Sequence, residues 1–178
     1  MINYFPIQVS NLNIIKEKIL RLIPNYTTPY QSKFFYVPKE EILGIEELTL
    51  ELTTIGLLNY INATGINFYY KGIPVIHKDT GNFKYSLNIP IAGYNNTYIN
   101  YYESSADPEL KSKGIVSWLE YNASTCTLIE KFETNTPAIV NTQAPHAFEN
   151  FNNEPRIMLL LRLDKTIDTS IKKILSVH

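Results

Sequence analysis

The hydrophobic period of the chain changes once, near Gly56, and that change decides its fold class. Before it, Leu12, Ile15, Ile19, Leu20 and Ile23 recur at helical spacing, with Ser10 or Asn11 placed to cap the start and Pro24 to stop the helix. A second helical stretch begins after Pro38. Lys39, Glu40 and Glu41 occupy its first turn, where acidic side chains suit the helix dipole, and it is expected to reach about Ile55 with Gly44 as its weak point. After Gly56 the texture is one of short β-branched and aromatic runs separated by Gly, Asn, Pro and Asp, and it persists to Leu163. Thirteen Tyr, eight Phe and one Trp favour strands in the same sense.

The expected strands are Ile66 to Tyr70, Pro74 to Lys78, Tyr85 to Ile91, Thr97 to Glu103, Ile115 to Tyr121, Thr127 to Phe132, Ala138 to Asn141, Ala147 to Asn150 and Arg156 to Leu163. That number is enough for a barrel or sandwich. Lys165 to Leu175 carries Ile167, Ile171 and Ile174 in helical register, and so closes the chain as a short amphipathic helix. The 178 residues therefore read as one domain: a helical part over 1–56, a barrel over 57–163 and a C-terminal helix over 164–178. The architecture expected is mainly β with flanking helices, a double-stranded β-helix of the jelly-roll, cupin-like kind, with the two N-terminal helices on the outside of one sheet.

Composition narrows the function classes. Hydrophobic residues make up 44% and charged residues 19%, as in an ordinary globular protein. A formal net charge of -1 without a dense Lys/Arg block argues against nucleic acid as a partner. The apolar runs fall far short of the ~20 residues that a membrane-spanning helix needs. A single cysteine, Cys126, cannot form an internal disulfide, and it lacks a local basic partner that would lower its pKa, so it reads as a small buried hydrophobe. No charged-then-apolar leader precedes the first helix, and the expected compartment is the reducing cytoplasm. Oligomeric state is left open.

The chemistry lies in two segments. Ile76-His77-Lys78-Asp79-Thr80-Gly81 ends an apolar run with a His and an Asp two positions apart, so both can point to one side of a strand. Asn141 to Asn150 presents a second histidine, His146, late in the β region. Two His and one carboxylate form a facial triad that leaves three positions open, which suits an Fe(II) that must bind a co-substrate and O2 together. A closed zinc site would need a fourth ligand. Ten residues past His146, Arg156 opens the strand Arg-Ile-Met-Leu-Leu-Leu-Arg-Leu, in which alternate side chains face opposite sides. An inward Arg needs an anion, and a dicarboxylate supplies one: one end chelates the metal while the other pairs bidentately with the guanidinium. Arg162 reads as the surface residue of the two.

With these residues the chain resembles the Fe(II)/2-oxoglutarate-dependent oxygenases, through His77 and Asp79, the distal His146, and Arg156 beyond it. Within that superfamily Ile76-His-Lys-Asp-Thr-Gly, Leu87-Asn-Ile-Pro-Ile91, Tyr101-Tyr-Glu103 and Asn141 to Arg156 are similar to the aspartyl/asparaginyl β-hydroxylase-like branch and its small phage-type members. The resemblance covers roughly Ile73 to Leu163. It implies that oxygen and 2-oxoglutarate are converted to succinate and carbon dioxide while the substrate gains a hydroxyl, with iron held by His77, Asp79 and His146. It also implies that Asn88, eleven positions after His77, helps to hold the co-substrate. The branch often carries an Arg two positions before that Asn, where this chain has Ser86. Asp79 argues against halogenating members, which have a small residue at this position. The substrate is expected to be a small molecule or a peptidyl group, with a slight tilt toward amino acids.

Two other functions compete: a cupin-type metalloenzyme such as an isomerase, and a non-catalytic jelly-roll binding protein. Arg156 separates the first from the oxygenase, because an isomerase has no need of a guanidinium facing its metal. His77 paired only with Asp79 would be a strand-end histidine, Asn88 could bond a neighbouring strand, and Tyr85, Tyr101, Tyr102 and Trp118 read as packing. The stretch from Asn95 to Gly114 is expected at the barrel entrance, as a lid or a solvated connection.

Overall fold

The computed structural model describes residues 3–23, 33–72, 75–113 and 116–167. Two six-stranded sheets, antiparallel throughout, account for about half of them. The first is built from β1 (Tyr4–Pro6), β2 (Lys33–Tyr36), β3 (Ile61–Tyr69), β5 (Phe83–Ala92), β10 (Ala138–Asn141) and β12 (Arg156–Asp164), in the order β1-β10-β5-β12-β3-β2. The second is built from β4 (His77–Asp79), β6 (Thr97–Ser104), β7 (Glu109–Lys113), β8 (Val116–Glu120), β9 (Cys126–Glu133) and β11 (His146–Asn150), in the order β7-β8-β4-β11-β6-β9. The fold is the expected jelly roll, with helices α1 (Leu12–Leu22), α2 (Lys39–Leu43) and α3 (Glu46–Thr54) packed on the first sheet.

The larger apolar cluster lies between helices and sheet, and a smaller one, Ile99 and Tyr101 with Ala138 and Val140, joins the two sheets inside the barrel. Ile15 and Ile19 of α1, Ile42 of α2, and Leu48 and Leu52 of α3 meet Ile66, Leu87, Ile89, Leu159, Leu161 and Leu163 from the central strands. Each such side chain stabilises the fold by roughly 2 kcal/mol when fully buried. The period of two along a strand then sends the alternate side chains to the opposite face. Asn67 and Tyr69 on β3, Asn88 on β5, and Arg156, Leu160 and Arg162 on β12 consequently line a space between the two sheets.

The structure corrects several expectations. The stretch after Pro38 is two helices, because Ile45 is extended and Thr49 Oγ1 bonds the Leu43 carbonyl; the break lets Ile42, Ile45 and Leu48 all reach the core. Neither Ser10 nor Asn11 caps α1 through its side chain. Glu51 of α3 does so from a distance, accepting from the Ser10 and Asn11 backbone N–H groups at 3.0 and 3.2 Å. We expect Glu51→Ala to cost about 2 kcal/mol, measurable as a lower urea midpoint with an unchanged slope; an unaltered midpoint would show that water replaces the carboxylate.

Strands β1, β2 and β7 were not foreseen. Much of the Asn95 to Gly114 stretch is strand: β6 covers Thr97–Ser104, and β7 forms a hairpin with β8. Cys126 is half-buried at the start of β9 rather than within the core. The C-terminal helix is described only as a turn of 3-10 helix over Lys165–Ile167, whose Ile167 is buried; the remainder of that expectation lies outside the described residues. No helix among the described residues is long and apolar enough to cross a membrane.

Candidate metal centre and anion pocket

His77 and His146 are direct cross-strand partners where β4 pairs with β11, which brings their ring centroids to 4.5 Å. Asp79, two residues along β4, points to the same side, with Oδ1 3.8 Å from His77 Nε2. One ligand atom from each of His77, Asp79 and His146 lies within 4.8 Å of the others, a spacing that could hold one metal ion. The cluster opens into a cavity of about 770 Å³ between the sheets.

The backbone sets the histidine tautomers. His77 Nδ1 lies 2.9 Å from the Val75 carbonyl, and His146 Nδ1 lies 2.9 Å from the Ala144 carbonyl. A carbonyl only accepts, so each Nδ1 carries the proton and each Nε2 keeps a free lone pair for a metal. Burial, with His77 nearby, pushes His146 down to about 3, so the ring stays neutral well into acid. Burial alone would raise the Asp79 carboxyl, yet the Arg162 guanidinium and the imidazoles outweigh it and hold the group below its ordinary range.

Arg162 is a site residue that the sequence reading placed on the surface. Its Nη1 donates to Asp79 Oδ2 at 2.5 Å, which leaves Oδ1 facing the histidines. Its guanidinium lies 4.7 Å over the Phe83 ring and 6.0 Å from that of Phe34. Across the strand pair β5–β12 it sits opposite Ser86, whose small side chain leaves room for it. Gln143 was also missed. Its amide donates to the carbonyls of Asp79 and Phe83, tying the segment after β4 to the turn that leads into His146.

Arg156 lies deeper and carries no such partner. It is 0% exposed, and Nε, Nη1 and Nη2 all lack a hydrogen bond among the described residues. Its guanidinium rests 4.2 Å over the Phe148 ring. Burial pushes it down to about 9, which still leaves a cation at neutral pH. Asn150 shapes the turn before it by donating to the Tyr69 and Glu154 carbonyls. Gly93, at φ +61, lets the β5–β6 turn approach Pro155 so closely that a Cβ there would lie 2.2 Å from its carbonyl oxygen. Asn67 and Asn88 line the same cavity, each with a buried Oδ1 that has no hydrogen-bond partner among the described residues.

Below neutral pH these groups set the stability of the metal-free protein. An unfolded histidine binds its proton near 6.5, whereas His146 in the folded chain waits until about 3, so protons favour the unfolded state between those values. Stability is complete above about pH 6.5 and declines toward pH 3, at no more than about 1.4 kcal/mol per pH unit for this group. Asp79, with its lowered carboxyl, adds a loss in the same direction at the acid end. Urea midpoints of the metal-free protein at pH 7.5 and 5.0 should differ accordingly, and in His146→Asn the difference should shrink; an equal difference in both would show that other groups carry it.

Fold and site together define a cupin-like jelly roll with a His–Asp–His cluster in the wall of an internal cavity. No protein-family model matches the chain, and neither does any curated protein in the sequence comparison. Among solved structures, AviO1 from Streptomyces viridochromogenes Tue57 is similar at a TM-score of 0.50 and 13% identity, over 92% of this chain and 90% of that one. An L-ribose isomerase from Cellulomonas parahominis aligns at a TM-score of 0.35 and 10% identity, over 90% and 86% of the two chains. The AviO1 likeness is one of fold.

Proposed function

We propose that the chain is an Fe(II)- and 2-oxoglutarate-dependent dioxygenase that hydroxylates a small-molecule or peptidyl substrate. One observation carries the reading: a fully buried guanidinium, without a hydrogen-bond partner among the described residues, shares a cavity with two histidines and a carboxylate. Arg156 Cζ lies 4.2 Å from the Phe148 ring centre, which is 5.6 Å from that of His146, so guanidinium and cluster are at most about 10 Å apart. A five-carbon dicarboxylate measures about 5 Å between its carboxyl carbons, which fits a molecule chelated at one end and paired at the other. An unpaired buried cation is costly, and a bound carboxylate removes that cost.

The donor set suits Fe(II): two neutral imidazole nitrogens and one carboxylate oxygen leave half of an octahedron to non-protein ligands. Iron held there with 2-oxoglutarate and oxygen would supply the oxidising power to place a hydroxyl on a C–H bond, releasing succinate and carbon dioxide. The remaining work falls to the chain. His77 and His146 present Nε2 because the Val75 and Ala144 carbonyls hold their Nδ1 protons. Arg162 occupies one Asp79 oxygen and directs the other. Arg156, with Asn88 beside it on the cavity wall, receives the far carboxylate.

The test is anaerobic titration of the protein with Fe(II) and then 2-oxoglutarate. A chelated 2-oxo acid should give a visible charge-transfer band that is absent in His146→Ala. Iron binding without that band in the parent protein would reject the co-substrate, and the absence of iron binding would reject the whole reading.

A further inference from the structure

The outer half of the cavity differs in chemistry from its floor. Phe34 and Tyr36 on β2, Phe83 on β5 and Trp118 on β8 line it, together with Thr80, Gly81 and Ser117. These aromatic side chains come from both sheets and line one cavity, Phe34, Tyr36 and Phe83 from the first sheet and Trp118 from the second. Tyr36 is 51% exposed, and its ring meets that of Phe34 edge-on at 4.8 Å. Phe34 holds its place because Gly65 lies beneath it: a Cβ at 65 would stand 2.4 Å from the ring. Trp118 is oriented by its own N–H, which donates to Glu120 Oε2 at 2.9 Å. Thr80 and Ser117 spend their hydroxyls on each other at 2.6 Å.

The charged lining residues already have tasks. Asp79 and Arg162 bond each other, and on the reading above Arg156 takes the co-substrate. The described lining thus offers a free amino acid no carboxylate for its ammonium and no spare cation for its carboxylate. It offers flat π faces instead, which favour a ring over a zwitterion.

We infer that Phe34, Tyr36, Phe83 and Trp118 form an aromatic clamp for a neutral substrate that offers a flat ring face, sugar or aromatic, to these side chains. The inference rests on the oxygenase reading for the role of Arg156 and narrows the substrate away from free amino acids.

Trp118 is the only tryptophan in the chain, so its emission reports on this entrance. Protein loaded anaerobically with Fe(II) and 2-oxoglutarate would be titrated with phenyl β-D-glucopyranoside, benzyl alcohol, methyl β-D-glucopyranoside, L-leucine and L-aspartate. We expect a saturable change with phenyl glucoside, five- to tenfold weaker affinity in Tyr36→Ala, and no saturation with either amino acid over the same range. The benzyl alcohol and methyl glucoside arms tell an aromatic face from a sugar face. Tighter binding of an amino acid, equal affinity in Tyr36→Ala, or no saturation with any ring compound would overturn the clamp. The charge-transfer band separates the two proposals: it should be unchanged in Tyr36→Ala, and ring binding by a parent protein that lacks the band would sink the oxygenase reading alone.

Discussion

Arg156→Met is expected to make the metal-free protein more stable while abolishing its hold on 2-oxoglutarate. The two effects have opposite sign and one cause. In the free protein the guanidinium is fully buried with no hydrogen-bonding partner among the described residues, and it rests against the Phe148 ring. An apolar side chain of similar length removes the desolvation cost, and the gain of up to about 1–4 kcal/mol seen when buried ion pairs are replaced by apolar residues sets its scale. In the iron-loaded parent, 2-oxoglutarate at a hundred times its dissociation constant should add about 2.7 kcal/mol of stability, and the variant should gain none. Urea midpoints with and without the co-substrate check both halves. A variant less stable than the parent in the absence of ligands would mean that Arg156 serves the fold. A variant that still gains stability from 2-oxoglutarate would place the co-substrate elsewhere.

The second large effect concerns the ion pair at the cluster. Asp79→Ala should lose iron binding by more than the 10–100-fold typical of changes outside the immediate ligands. It should also lower stability by about 3–5 kcal/mol, because Arg162 is left without its carboxylate in a half-buried site. Asp79→Ala with Arg162→Leu should recover most of that stability and none of the iron binding. Arg162→Leu alone should retain iron, since both histidines and the carboxylate remain. Calorimetric iron titrations and urea curves on the four proteins close the cycle. If the double variant regained iron affinity, Asp79 would not be a ligand; if Asp79→Ala were as stable as the parent, the ion pair would be structurally idle.

How far the sequence reached depends on whether a signal was local. The change of period at Gly56 separated the helices from all strands but β1 and β2, because burial on one face leaves a repeat that can be read along the chain. Ala138 to Asn141 matches β10, and the Arg156 to Leu163 run matches β12 to within a residue, since each alternates between a core face and a cavity face. Strand β7 escaped because Glu-Leu-Lys-Ser-Lys is an edge strand held by backbone bonds to β8; its outer position leaves no burial pattern. The break at Ile45 escaped for a related reason: Gly44 weakens a helix, but only packing decides whether the helix bends there or continues.

At the site, the type and order of His77, Asp79, His146 and Arg156 were legible. Arg162 could have been found as well, since the period of two that turns Arg156 into the cavity turns Arg162 the same way. Their meeting was not legible. The pairing of His77 with His146 joins residues far apart in the chain, and the strand register that sets it follows from how both sheets close, not from either segment alone. The sequence by itself determined the fold class and which residue types were available for chemistry, because side-chain period and composition are properties of the chain. Only the tertiary structure decided that Arg162 bonds Asp79, that Arg156 has no hydrogen-bond partner among the described residues, and that aromatic side chains from both sheets line the same cavity, because each of these depends on distances between strands.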